Sequence, residues 1–242
     1  MASTPGTEPG LMSDGFRERG AQVTRLEAFV DAAFAFSLTM LVISTNDVPR
    51  SIPAMIVALK GVPAFAASFL LIAMFWHAHV RWSRRYGLDD RRSTGLSLLL
   101  VFLVLVYMYP LRLLFGTFFA FLSGGWLPWP IEKLRDVSEL ADMFMVYALA
   151  FGTMSLTIAG LFSHARRRHH EIGLSVEERA QTAGDVAAWR YAAVVAALSF
   201  AVALWSPART PDWTIGLPGM VYFLMSFSWP VHVRAVARAR LR

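Results

Sequence analysis

The sequence predicts an all-α polytopic membrane protein with six transmembrane helices. Hydrophobic residues make up 56% of its 242 residues and mean hydropathy is +0.47, too apolar for an ordinary soluble domain of this size. Several stretches reach the ~20 apolar residues that cross ~30 Å of hydrocarbon. Basic residues gather in alternate connections between those stretches, as they do when the connections share one side of a bilayer.

In chain order, residues 1–20 begin with a polar, Gly- and Pro-bearing stretch lacking a basic n-region, so they read as a disordered cytoplasmic tail rather than a signal peptide. The six-helix transmembrane domain is expected over 21–236, with a basic cytoplasmic tail at 237–242. Helix 1 spans about Thr24 to Thr45 and stops at the Asn46-Asp47-Val48-Pro49 break. Ser51–Lys60 places Ile52, Met55, Ile56 and Leu59 on one stripe, which suits an interfacial piece or the amphipathic start of helix 2. Helix 2 continues from about Ala64 to Trp82. Helix 3, about Ser93 to Phe121, carries Pro110 as a candidate kink and Arg112 near the outer surface, within snorkelling reach. Ser123–Pro130 is a turn with two interfacial tryptophans. Helix 4 runs from about Val137 to Ser163. Helix 5, about Val186 to Trp205, has Ala188, Ala192 and Ala196 spaced for close packing. After an outer loop at Ser206–Asp212, helix 6 runs from about Trp213 to Val233, with bends expected at Pro218 and Pro230.

Charge sets the orientation. Arg17, Arg19 and Arg25 precede helix 1; Arg81, Arg84, Arg85, Arg91 and Arg92 fill the second connection; Arg166–Arg168, Arg179 and Arg190 mark the fourth; Arg234, Arg238, Arg240 and Arg242 end the chain. All fall on the side shared by both termini, which the positive-inside rule makes cytoplasmic. The net charge of +6 is therefore topogenic, and nucleic acid is not needed to explain it. The Arg166-Arg167-Arg168-His169-His170-Glu171 run reads as a solvated face, or as a contact for anionic lipid headgroups. The chain has no cysteine, hence no disulfide or thiol chemistry. It carries no phosphate-binding glycine loop, no meaningful Ser/His/Asp spacing and no zincin motif, so an enzyme is not expected. His77 and His79 stand two apart and cannot share a helical face, which argues against a metal site.

Two constellations carry the chemistry. Asp31 lies inside helix 1, where a carboxylate is costly unless it faces protein or water; it marks either an ion path or a simple pairing with a nearby arginine. His79, near the inner end of helix 2, reaches the depth of Arg25 and Asp31. A structural polar network and a proton relay are both chemically open. Phe36, Thr39 and Ile43 share a second face of helix 1, with Ala32 below and Asn46 above. Around an axis they would stack an aromatic, a hydroxyl and an aliphatic ring; otherwise they pack against neighbours, with Thr39 bonding back to the Ala35 carbonyl.

Helix 1 resembles the first helix of the transmembrane protein 175 family of potassium channels. Arg25, Phe29, Asp31, Phe34, Ala35 and Thr39 stand at the positions of its signature, while Val30 and Ala32 replace a Ser and a Gly. Downstream, Ser68, Phe69, Trp76 and His79 match its Ser-Phe, six residues, Trp-x-x-His spacing. Early in helix 3 the family's Asn is absent, and Tyr109-Pro110-Leu111-Arg112 stands where the family has a Pro-aromatic-Pro-Thr end. The resemblance implies a single-repeat prokaryotic channel, a homotetramer in the bacterial plasma membrane. It implies potassium-favouring conduction along Phe36, Thr39 and Ile43, with Arg25, Asp31, Ser68, Trp76 and His79 as a structural polar network. The expected partners are membrane lipid and the transported potassium ion, with no cofactor. A proton- or ion-coupled transporter and a non-conducting scaffold of the same fold are the alternatives.

Overall fold

The computed structural model describes residues 10–43, 50–129, 137–205 and 216–241. Among them the only β feature is an isolated bridge between Leu11 and Arg17; the rest of the regular structure is helical. The helices are α1 (Arg25–Ile43), α2 (Ile52–Lys60), α3 (Val62–Tyr86), α4 (Arg91–Leu122), α5 (Val137–Arg167), α6 (Val176–Trp205), α7 (Leu217–Met220) and α8 (Ser228–Arg240). A 3-10 segment, Val221–Phe227, joins α7 to α8. Four described helices are long and apolar enough to cross a membrane: α3, α4, most of α5, and α6.

Helix starts follow local hydrogen-bond chemistry. Three reciprocal capping boxes satisfy orphan N–H groups, pairing Thr24 with Glu27, Asp90 with Ser93 and Ser175 with Glu178. The Ser175 box starts α6 ten residues before Val186. That extension carries Glu178, Thr182 and Asp185, so much of the fourth basic connection is helix rather than loop. Ser51 caps α2, none of whose residues is buried, and α3 follows directly after Gly61. α4 runs unbroken through Pro110.

The last expected helix is broken. Pro230 has no N–H to return to the carbonyl four residues back, and the preceding turns tighten to 3-10 geometry. Beyond it α8 continues to Arg240, so residues 237–240 are helical rather than tail. Arg112 lies beside the far end of α1, opposite the arginine clusters. Its Nη1 turns inward to donate to the Leu41 carbonyl at 3.3 Å, placing a cation against the carbonyl end of α1.

The core is apolar, but polar groups share it while large apolar side chains also cover the outside. Ser97, Ser155, Thr182 and Ser199 lie inside, while Phe102, Val194 and Phe223 face outward, as in a protein whose solvent is lipid. The packing between α5 and α6 relies on small residues, with Ala192 and Ala196 buried as their spacing predicts. Where α8 crosses α6, Gly184 admits His232 and Val236, which would lie 2.6 Å from any added Cβ.

Residues 10–20, expected to belong to a disordered tail, are instead seated on one end of the bundle. Phe16 is 1% exposed, edge-on to Tyr86 at 6.0 Å and capped by the Arg85 guanidinium 4.0 Å from its ring. The amides of Arg19 and Gly20 both donate to the Arg84 carbonyl at 3.0 Å, satisfying an orphan acceptor at the end of α3. Arg19 grips Glu178 with two parallel bonds of 2.8 Å and also reaches the carbonyls of Ile172, Gly173 and Arg85. The contact is close: Gly87 ends α3 at φ 56°, and a Cβ there would lie 2.7 Å from the Arg19 carbonyl oxygen. Composition points to disorder because this segment has little apolar surface of its own; one phenylalanine and fixed ion pairs hold it.

Arg85 is 6% exposed and bridges Asp14 (2.9 Å) and Asp185 (2.7 Å). Replacing it with alanine leaves two carboxylates short of a partner, although Arg81 stays 3.3 Å from Asp185. Arg85→Ala should therefore cost about 3 kcal/mol, the low end for breaking a buried pair, read as a lower thermal midpoint in detergent. A midpoint within 1 °C of the parent, a threshold of order a few tenths of a kcal/mol, would refute the assignment.

Asp90 supplies a pH test. Burial alone would raise its pKa, but bonds from His164, the Ser93 amide, Arg168 and the Arg92 amide outweigh it and hold the carboxyl well below the ordinary carboxylate range. The folded state thus binds its proton less readily than the unfolded chain. The resulting stability is complete above the unfolded pKa near 4 and is lost as pH falls through the lower folded value. The thermal-midpoint difference between parent and Asp90→Asn should be largest at neutral pH and shrink below about pH 4. A difference that stays constant into acid would contradict this.

Candidate functional site

α1 is two-faced. Val30, Phe34, Ser37 and Leu41 are buried to 2% exposure or less, on the side that packs against α3 and α4. The opposite side is open: Ala28, Asp31, Ala32, Ala35, Phe36 and Thr39 are exposed, Phe36 by 57%. This follows helical periodicity, since residues three and four apart share a face. Phe36 and Thr39 are thus brought together on the open face. Ile43 is the last residue of α1, and Asn46 lies outside the described residues. The Thr39 hydroxyl donates to the Ala35 carbonyl at 2.9 Å while remaining exposed, so back-bonding and outward presentation coexist.

The two signature departures fall on opposite sides. Val30, where the signature has Ser, is fully buried and adds apolar packing; Ala32, where it has Gly, sits on the open face.

The residues expected to form one polar network divide into separate pairs. Trp76 Nε1 donates to Asp31 Oδ1 at 2.8 Å, tying α1 to α3. His79 Nε2 lies 2.9 Å from Ser97 Oγ, tying α3 to α4 inside the core. Ser68 is buried but donates to the Ala64 carbonyl within its own helix. It stands eleven residues from His79, roughly 16 Å along the axis. Arg25 is exposed, and among the described residues it makes no hydrogen bond to Asp31 or His79. Asp31 and His79 nonetheless line one cleft of about 290 Å³ beside Glu18, Glu27 and Arg84.

Sequence reasoning missed Ser97 and the ion pairs at the charged end. Ser97 repeats Ser93 at i+4, placing both on one face behind the Asp90 cap. The Ser175–Glu178 spacing is itself a helix-start signal. At that charged end, Tyr86 Oη lies 2.8 Å from Thr182 Oγ1, whose own hydrogen is engaged by the Glu178 carbonyl, so the phenol is the donor. Trp82 Nε1 donates to the Leu161 carbonyl at 2.9 Å, joining α3 to α5. Among the described residues no three His, Asp or Glu side chains gather as a metal would require.

Comparison with known proteins agrees with this layout. A family model described as "Endosomal/lysosomal potassium channel TMEM175" matches residues 25–110, from the start of α1 to Pro110 in α4. A protein named "Potassium channel" from Marivirga tractuosa is 29% identical over 218 residues, spanning 88% of this chain and 87% of that one. A crystal structure of a threonine-to-alanine variant of the potassium channel MtTMEM175, bound to a nanobody–MBP fusion, superposes with a TM-score of 0.80. It is 27% identical and the match covers 94% of this chain and 99% of that one. A TMEM175 homolog from Chamaesiphon minutus, 22% identical with a TM-score of 0.53 over 89% and 96% of the two chains, shares the fold. The Asp31 and Trp76–His79 motifs lie inside the matched region, and over nearly its full length the chain is similar in sequence and fold to TMEM175 potassium channels.

Proposed function

We propose that this chain forms a potassium-favouring cation channel whose path runs along the open face of α1. The carrying observation is that face: Phe36 and Thr39 are uncovered in a helix whose other side is fully packed. An apolar and hydroxyl-bearing helix face left open in one copy is satisfied when several copies surround a common axis. Four copies would stack Phe36, Thr39 and Ile43 as rings, the apolar ones narrowing the path and the threonine oxygens replacing part of an ion's water. The related proteins named as potassium channels support potassium as the ion.

Six membrane crossings fit this reading: α1, α3, α4, α5, α6, and α7 to α8 taken together. The termini, the α3–α4 and α5–α6 connections and their arginines meet at one end through the Arg19, Arg85 and Arg240 ion pairs. By the positive-inside rule that end is cytoplasmic. Asp31 and His79 hold α1 to α3 and α3 to α4; their separate partners, Trp76 and Ser97, favour this structural role over a direct proton relay. The cleft they share keeps an ion-coupled transporter as the second reading.

Two experiments test the proposal. A single cysteine at the exposed Arg167 in this Cys-free chain should resist a membrane-impermeant maleimide added to intact cells, and one at Trp129 should react. External labelling at 167 would reverse the orientation. In liposomes, Thr39→Ala should reduce potassium-over-sodium discrimination by about tenfold, the scale of one ~1.4 kcal/mol oxygen contact per ion, and Ile43→Ala should raise flux. If the four Phe36 rings close the path, parent flux will be near zero and Phe36→Ala will open it. Flux and selectivity unchanged by all three substitutions would remove α1 from the path.

A further inference from the structure

The arginines at the charged end differ in their partners. Arg19, Arg81, Arg84, Arg85, Arg168 and Arg240 each meet a carboxylate. Arg91, Arg92, Arg167 and Arg190 meet none among the described residues, and these four line a single cleft between α4, α5 and α6. Its volume is about 540 Å³ and no carboxylate contributes to its wall. Ser163 adds a hydroxyl between α5 and α6, with Arg190 Nη2 3.5 Å from its oxygen. Helix register then changes the lining from charged to apolar with depth. Arg91 and Arg92 open α4 and Leu96 lies one turn further in; Arg167 ends α5, and Gly160 and Leu156 follow two and three turns deeper. Gly95 leaves open space beside Leu96, with nothing within 4 Å of where its Cβ would be.

We propose that this cleft binds a phospholipid with an anionic phosphate headgroup, drawn from the leaflet at the charged end. The unpartnered guanidiniums supply the bidentate donors that phosphate oxygens fit. The apolar floor, with Leu156 exposed along one wall, supplies the surface that an acyl chain covers and that a free anion does not need. Juxtamembrane arginines are attracted to anionic headgroups in general, but four unpaired ones converging over an apolar floor make a site for one molecule. The inference needs only that the chain spans a membrane, and it stands whether or not the α1 face conducts.

Native mass spectrometry of the purified protein in detergent tests it, with phosphatidylglycerol titrated against phosphatidylcholine. The parent should retain phosphatidylglycerol preferentially. Arg92→Gln with Arg167→Gln should weaken that retention roughly 25-fold, about fivefold per arginine. Arg166→Gln with Arg234→Gln removes the same charge from exposed arginines outside the cleft and should change it less than about twofold, since bulk attraction is screened and shared by many groups. Gly95→Leu, which fills open space without displacing the backbone, should weaken retention while leaving the oligomer and its melting unchanged. Equal retention of both lipids by the parent, or equal loss in the control pair, would overturn the site. So would inorganic phosphate displacing the lipid at matching concentration with Gly95→Leu silent, which marks a soluble-anion site. Dissociation of the oligomer by the cleft substitutions in phosphatidylcholine alone would make the cleft a subunit contact instead.

Discussion

A buried guanidinium organises the charged end of the molecule. Arg85 sits between Asp14 from the N-terminal segment and Asp185 from α6, with the Phe16 ring stacked on its face. Such a cluster adds little net stability over well-packed apolar groups, yet it tolerates few arrangements, because an unpaired charge in that setting is costly. Its value is geometric. Three segments far apart in sequence are forced into one register, with Arg81 of α3 and His232 of α8 also beside the Asp185 carboxylate. The tight seat of Arg19 on Glu178 adds a second fixed point six residues before the chain enters α1.

The position of α1 follows from that base. Packed against α3 and α4, it is held at its start by the seated N-terminal segment and the Thr24 cap, near its middle by Trp76, and at its far end by Arg112. Two polar ties from neighbouring helices, Trp76 on α3 and Arg112 on α4, supplement the one-sided apolar burial of α1. An open face is therefore compatible with a fixed orientation. The peripheral α5 and α6, packed through small residues, supply the rigid wall behind it.

Much of this was legible in the sequence where the signal is local or periodic. The apolar spans, the sharing of one end by the arginine clusters, the alanine spacing of α6 and the common face of Phe36 and Thr39 follow from composition and a 3.6-residue repeat. The motif around Asp31 and the Trp76–His79 spacing carry the resemblance to TMEM175 channels. What periodicity cannot carry is pairing across distance. Arg85 and Asp185 are one hundred residues apart, and nothing in either stretch names the other. The seated segment at 10–20 was hidden because its binding energy resides in partners contributed by α3 and α6. The early start of α6 was available in the Ser175–Glu178 spacing, but the charged residues after it resemble a loop when read without the cap. The tightening before Pro230 depends on how far a missing N–H propagates, which pattern alone does not report.

The bond from Thr39 to Ala35 has a consequence beyond local packing. A hydroxyl can act as donor or acceptor, and here its only hydrogen is already committed inward, 2.9 Å from a carbonyl oxygen. What the side chain presents outward is a pair of lone electron pairs. Such an atom can stand in for one water molecule around a bare alkali ion, and it has nothing to offer a chloride. The direction in which a single proton points thus gives an uncharged side chain an electronegative outward face at this level of the helix.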